Sequence, residues 1–163
     1  MYRKRRLNGT LTTFCSSRFP YKSKRCRSGY RYTATVGIGG NVGDVKRRFH
    51  HLFTTFQKEK RVMLVETSLI LKNPPFGYMQ QDDFLNAIIV LKTSMQAKVF
   101  LKYLLHVEKQ FGRKRSFANA PRTLDLDMIF FDNRVINTKE LQLPHPHWYK
   151  RESVVIPLSG VLG

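Results

Sequence analysis

The periodicity of apolar positions changes several times along the chain, and each change marks an element. Thr33-Ala34-Thr35-Val36-Gly37-Ile38 reads as a first strand, followed by a glycine-rich turn. Val45, Phe49, Leu52, Phe53 and Phe56 then fall at offsets 4, 7, 8 and 11. That spacing is one face of a helix over 44–59, with Lys46, Arg47, Arg48 and His50 largely on the other face. The run Val62 to Leu71 predicts a long strand. Asn73-Pro74-Pro75 ends it, because two prolines remove two donors and fix φ. Residues 74–83 form a polar loop, and Phe84 to Leu91 predicts another strand. Thr93-Ser94 offers a cap for a second helix, lined on one face by Phe100, Leu104, Val107 and Phe111 and closed by Gly112. A basic loop over 113–121 leads into a strand beginning near Asp125, and Asp132-Asn133 suggests a hairpin toward Val135-Ile136. The order β-α-β-β-α-β predicts an α+β, ferredoxin-like (split βαβ) two-layer sandwich. Its sheet is mostly antiparallel, its helices lie on one face, and loops are added to it.

One predicted strand carries chemistry. Asp125 and Asp127 are two residues apart and point to the same face, while Leu124, Leu126 and Met128 point to the other. Two like charges side by side repel, and a hard divalent cation such as Mg²⁺ balances them, usually with water and substrate phosphates completing its shell. Arg122, at the start of the strand, has the forked geometry that holds a phosphate. Together these point to transfer of a phosphorus-containing group. Gly37-x-Gly39 lacks the third glycine of a dinucleotide fingerprint, since position 42 is Val42. No Gly-Lys-Ser/Thr of a P-loop is present either. The glycines read instead as a tight strand-to-helix turn, with Asn41 and Gly43 shaping a pocket floor near the next helix.

Charge adds a second region. The chain carries a net +18, and residues 1–31 hold ten Lys/Arg and no acid, the first acidic residue being Asp44. Such a surface attracts ATP and other polyanions and binds nucleic acid nonspecifically. The chain therefore divides into a basic N-terminal extension, 1–31, and a single domain, 32–163. Four readings of the extension stand open: a flexible arm, a segment packed through Phe14, Phe19 and Tyr21, a nucleic-acid arm, or an organelle transit peptide. Cys15 and Cys26 have no metal-like spacing, which leaves a reducing, cytoplasmic setting as the default. No run approaches the roughly 20 apolar residues of a membrane span.

The run Pro121-Arg122-Thr123-Leu124-Asp125-Leu126-Asp127 resembles the signature of the 6-hydroxymethyl-7,8-dihydropterin pyrophosphokinase family of folate biosynthesis. Three further segments match that family in order: Gly37 to Asp44, Pro74-Pro75-Phe76-Gly77 with Phe84-Leu85-Asn86-Ala87, and Leu143-Pro144-His145-Pro146 with Arg151. The resemblance implies an enzyme that moves pyrophosphate from ATP to the pterin's hydroxymethyl oxygen, releasing AMP and acting as a monomer on small molecules. It implies two Mg²⁺ ions held by Asp125 and Asp127. It implies ATP contacts from Arg113, Arg115, Arg122, His145, Arg151 and Glu108. The pterin contacts it implies are Phe84 by stacking, Asn86 at the ring's amide edge, and the backbone of Pro74, Pro75 and Gly77. Two positions depart from the family: Asn119 stands where a loop Trp is common, and Ser153 where an aromatic covers the pterin's second face. Trp148 or Tyr149 is the expected replacement. Two other readings compete: a basic nucleic-acid-binding module on a ferredoxin-like sheet, and a homologue that binds pterin or ATP with little turnover.

Overall fold

The centre of the sheet is set by a nine-residue strand that alternates side-chain size. In the computed structural model, which describes residues 2–25, 27–114 and 116–161, the chain forms the following elements in order. They are β1 (Arg3–Arg6), β2 (Thr12–Cys15), β3 (Tyr21–Lys22), β4 (Tyr32–Gly40), α1 (Val45–Lys58), β5 (Val62–Thr67), β6 (Ile70–Asn73), β7 (Phe84–Thr93), α2 (Ala97–Gln110), β8 (Asp125–Phe131), β9 (Ile136–Asn137), β10 (Gln142–Leu143) and α3 (Glu152–Ser159). A short 3-10 turn at Trp148–Lys150 precedes α3. The fold is mixed α and β. Strands β1 to β8 make one sheet, and every pairing among the described residues is antiparallel.

Strand β4 lies between β7 and β8, and its even-numbered residues Ala34, Val36 and Ile38 are buried against α1 and α2. Helix α1 forms as its spacing predicts: Val45, Phe49, Leu52, Phe53 and Phe56 are all buried, and Asp44 caps it by accepting the Arg47 N–H. Helix α2 starts after Gln96, not at a Thr93-Ser94 cap. The Thr93 hydroxyl instead donates to the Arg61 carbonyl and accepts the Met95 N–H. Gly112 closes α2 at φ +79, as expected of a C′ glycine.

Three further elements differ from the sequence reading. The run 62–71 is two strands, because the Ser68 hydroxyl takes the Ile88 N–H and interrupts the ladder between β5 and β6. Asp132-Asn133 does not make a hairpin back onto β8; β9 pairs with β10 instead. The tail forms α3, whose Val154 and Leu158 pack on Ile88 and Ile129. These side chains lie on the opposite face from α1 and α2, so the helices do not all share one face. The helix hid in the sequence because Pro157 sits inside it.

The N-terminal segment joins the sheet. Strand β2 pairs with β6 and β3 with β5, while β1 forms an edge whose four basic side chains are all exposed. Phe19 is fully buried, with ring centroids 6.0 Å from Phe49 and 6.1 Å from Phe53. Tyr21 stands edge-on to Phe53, and Arg18 donates to the His50 carbonyl and the Thr54 hydroxyl. Of the readings open for this segment, packing through its aromatics is the one observed. No helix among the described residues is long and apolar enough to cross a membrane.

Candidate active site

The odd-numbered residues of β4 face away from α1 and α2, and two of them are Gly37 and Gly39. Register places Gly39 between Asn86 on β7 and Asp125 on β8, and Gly37 between Ile88 and Asp127. The result is a trough two rows wide and bare in the middle, with both aspartates along one side and Asn86 and Ile88 along the other. A side chain at Gly39 would begin 2.5 Å from the Asn86 Oδ1, so only glycine leaves the asparagine in place. The glycines are thus strand residues that open a floor, not the tight turn their spacing suggested. Above them lies a cavity of about 780 Å³.

Most of the expected site residues line this cavity. Pro74, Pro75, Phe84 and Asn86 stand on one side, and Arg122, Asp125, Asp127, His145 and Arg151 on the other. Strand β8 delivers both aspartates through its period of two, and the start of α3 delivers Arg151. Gly77 lies outside the lining. Its φ of +81 bends the 74–83 loop against Asn119, where a Cβ would fall 2.6 Å from the Asn119 Nδ2. Arg113 sits behind Asp125 and is nearly buried, with its Nε 3.9 Å from Oδ1. Glu108 is not at the cavity: it is buried beneath β8, where its Oε2 accepts the Leu126 N–H at 3.5 Å. Arg115 and Cys26 lie outside the described residues.

The two aspartates have different partners. Arg122 Nη1 donates to Asp125 Oδ2 at 2.7 Å, and Arg113 approaches the other oxygen. Among the described residues Asp127 has no such arginine fork. Burial, the Asp125 carboxylate and the Glu108 carboxylate push its pKa up to about 7, against a weaker downward pull from Arg151 and Arg122. A carboxylate destabilised in this way attracts a proton or a cation. His145 is driven the other way: burial and Arg151 lower its pKa, which favours the neutral imidazole. Its Nδ1 is buried with no hydrogen-bond partner among the described residues.

Arg122 is held from several sides. Its guanidinium lies 5.4 Å from the Phe84 ring centre. Its backbone N–H donates to Asn41 Oδ1 at 2.9 Å, and its carbonyl accepts the Asn41 N–H at 3.0 Å. Asn41 Nδ2 donates onward to Gln81 Oε1, and Gln81 Nε2 donates to the Asn119 carbonyl. The first loop, the 74–83 loop and the basic loop therefore share one hydrogen-bonded hub, with Asn41 buried at its centre. Asn41 and Gly43 also line a smaller cavity beside the start of α1, where their sequence position suggested one.

Sequence reasoning missed three contributors. The floor of Gly37 and Gly39 was legible only once the two residues were placed within a strand. Asn73, read merely as a strand terminus, accepts from Asn86 Nδ2 at 2.6 Å and donates to the Pro74 carbonyl at 3.1 Å. It thereby fixes which way the Asn86 amide faces. Phe76 lines the cavity mouth. The expected aromatic replacements do not: Trp148 stands edge-on to Phe130 at 5.1 Å and to Tyr149 at 5.8 Å, away from the lining.

The sequence profile of the 7,8-dihydro-6-hydroxymethylpterin-pyrophosphokinase (HPPK) family matches residues 35–162. The chain is 42% identical over 143 residues to a 2-amino-4-hydroxy-6-hydroxymethyldihydropteridine pyrophosphokinase of Campylobacter jejuni, a span of 88% of this chain and 90% of that protein. At that length the match reaches into the first 31 residues. The similarly named protein of Helicobacter pylori is 38% identical, covering 86% of this chain and 87% of its own length. That of Bacillus subtilis is 32% identical, covering 78% and 77%.

Proposed function

Because this chain belongs to the 7,8-dihydro-6-hydroxymethylpterin-pyrophosphokinase family, we propose that the cavity above Gly37 and Gly39 is where it carries out the pyrophosphoryl transfer of folate biosynthesis. The substrates are ATP and 6-hydroxymethyl-7,8-dihydropterin, and the products are AMP and the pterin diphosphate. The observation that carries the assignment to this cavity is the shared row Asn86–Gly39–Asp125. It sets a flat-ring recognition side and an acidic side on one floor, two strands apart.

On the ring side, Phe84 offers a stacking face and Asn86 a donor and an acceptor for an amide edge, with the backbone of Pro74, Pro75 and Gly77 nearby. On the phosphate side, Arg122, His145 and Arg151 face the cavity and Arg113 stands behind Asp125. Arg115 belongs to the same basic loop. Glu108 acts from below, through the charge it imposes on Asp127.

Asp125 and Asp127 suit Mg²⁺. Two carboxylates on one face, one of them destabilised by burial and by its like-charged neighbours, leave room in an octahedral shell for phosphate oxygens and water. When bound, two such ions offset charge on the triphosphate and help align the attacking and leaving oxygens. The protein's own part is to orient: the arginines hold the phosphates, Phe84 and Asn86 hold the ring, and the enclosed floor limits water. Positioning of this kind carries much of a phosphoryl-type transfer without a strong side-chain base.

The path β4-α1-β5-β7-α2-β8, with sheet order β5-β7-β4-β8, supports the split βαβ, ferredoxin-like reading of the core. Every cavity-lining residue follows residue 32, which supports a catalytic unit over 32–163 with an N-terminal extension that completes the sheet. A monomer in the cytoplasm completes the reading. Incubation with ATP, Mg²⁺ and 6-hydroxymethyl-7,8-dihydropterin tests it: AMP should appear only when the pterin is present and should stop on addition of EDTA. ATP turnover that ignores the pterin would refute it.

A further inference from the structure

The N-terminal segment completes the sheet, yet its charge finds no opposite charge inside the molecule. Nine of its ten basic residues are exposed: the four of β1, then Lys22, Lys24, Arg25, Arg27 and Arg31. The tenth, Arg18, is bound to α1. Residues 1–31 contain no acid, and none of the nine forms an ion pair among the described residues. Together they line one margin of the sheet. Strand β2 pairs with β6 and β3 with β5, and both β5 and β6 lie along the same side of β7, with β1 outermost on β2. The cavity described above opens over β7, β4 and β8, toward the other margin.

Charge on an edge strand blunts pairing with another chain, but acids serve that end as well as bases. Edge protection also leaves Lys24, Arg25, Arg27 and Arg31 unexplained, since they lie outside any strand. Apolar anchors are missing too: Leu7 is the one exposed large apolar side chain among the described residues of the segment. A protein interface or a bilayer surface calls for more. The aromatics interleaved with the charges are turned inward. Phe14 and Phe19 are buried and Tyr21 stands against Phe53, so unstacked bases would meet no platform. What remains is an ordered row of cations, with alternate residues of β1 pointing to the two sides of the sheet. The row continues toward α1: Lys4 is opposite Phe14, Lys72 is opposite Thr12, and Lys46 Nζ lies 3.6 Å from the Phe14 ring centre. Burial lowers the Lys46 pKa, and Lys72 and Lys4 push it further down against Asp44, as expected of crowded cations.

We propose that this margin is a second binding site, for double-stranded nucleic acid held through its phosphates without regard to sequence. It is independent of the function proposed above. A duplex carries a dense row of fixed negative charge, and neutralising that charge releases condensed counterions, which drives binding with no apolar contact. The inward-turned aromatics favour the duplex over a single strand, because the margin offers cations to a backbone and nothing to a base. Its place at the β1 margin, with β8 at the other, leaves the cavity free while a duplex is bound.

The test titrates full-length protein into a fluorescein-labelled DNA duplex of about 20 base pairs, read by anisotropy between ~50 and ~200 mM salt. Log K should fall against log salt with a slope between about −4 and −8. Arg3→Gln, Lys4→Gln, Arg5→Gln and Arg6→Gln combined should weaken binding ~10-fold or more and make the slope shallower by about 3–4. Lys24→Gln, Arg25→Gln and Arg27→Gln combined touch no strand and should make it shallower by about 2–3. A control removes as much charge elsewhere: Lys98→Gln, Lys102→Gln and Lys109→Gln on α2, with Lys139→Gln after β9, all exposed. Helix α2 packs on β8, at the other margin, so the control should bind nearly as wild type does. A control loss equal to that of the β1 variant would show net charge alone at work and overturn the proposal. So would wild-type affinity in the β1 variant, or tighter binding of a single strand of the same length. Binding to phosphatidylserine vesicles but not to the duplex would assign the margin to a membrane surface instead. Pterin-dependent AMP release should be unaltered in all three variants, since none touches the cavity. Its absence from the wild type would refute the catalytic reading and leave this one standing.

Discussion

Strand β4 and its two neighbours show opposite chemistry on their two faces. Toward α1 and α2, β4 presents Ala34, Val36 and Ile38, flanked by Ala87, Ile89, Leu126 and Met128, and all of these are buried. Toward the cavity the same strands present Gly37, Gly39, Asn86, Asp125 and Asp127. Successive residues alternate between the faces, so one backbone carries both sets without compromise. The apolar face supplies cohesion, through side chains packed at crystal-like density. The other face gives up cohesion: it has bare glycines where side chains would pack, and paired carboxylates that repel. The cost of the site is borne by the face behind it, and the two should be separable by mutation.

The sharpest separation is at the carboxylates. Asp125→Ala and Asp127→Ala are each expected to lower kcat by ~10³-fold or more, because each removes a proposed cation ligand. The fold should survive, as judged by an unchanged circular dichroism spectrum and a cooperative melting transition. Near-normal turnover in both variants would break the assignment of the acidic side.

The mirror experiment attacks the packed face. Phe19→Ala empties a fully buried site between Phe49 and Phe53 and is expected to cost about 3–5 kcal/mol in a urea titration. At temperatures where the variant is folded, its kcat should be close to wild type. Deleting residues 1–31 removes Phe14 and Phe19 together with the strands that cover β5 and β6, so a larger loss is expected. A truncated protein that melted like the full chain would show that the N-terminal strands are ornamental to the core.

A smaller change tests the floor itself. Gly39→Ala places a methyl group on Asn86 Oδ1 and should displace the amide from its bond to Asn73. Loss of a ring hydrogen bond costs about 1–3 kcal/mol, so the pterin KM should rise ~10-fold or more. The ATP KM should hold. Equal rises for both substrates would mean that the substitution disturbs the sheet as a whole.

The smallest effect is on stability against pH in the absence of metal. The Asp127 pKa rises from 3.8 to about 7 on folding, so the folded protein binds this proton more tightly than the unfolded chain. The associated stabilisation is complete below about pH 4 and is lost as the pH rises through 7. Asp127→Asn carries no charge at any pH. It is expected to melt a few degrees above wild type at pH 8 in EDTA and level with it at pH 4 and below, the gap opening between the two. A difference that is constant across that range would show that Asp127 is not strained by its neighbours.

The sequence alone determined what depends on short-range order. Helices α1 and α2 were readable because apolar residues at 3.6-residue spacing leave few alternatives, and β8 because two aspartates flanked by apolar residues make an alternating strand. The pair Asp125 and Asp127, the adjacent Arg122, and the pair Phe84 and Asn86 were legible for the same reason: their relations span two or three residues. Tertiary structure decided what depends on pairing between distant segments. Gly37 and Gly39 looked like a turn until β7 and β8 were laid beside them, since a missing side chain has meaning only in relation to its neighbours. Asn73 gained its role from a partner 13 residues away, and Asn41 from Arg122, 81 residues away. The first 31 residues were the least legible. Their high charge describes the exposed side chains of β1, of Lys22 in β3 and of the loops beside them, while their attachment rests on a few aromatics whose pockets are built by α1. Local composition reports how a segment meets water. Which core it completes is set by contacts that exist only after the chain has folded.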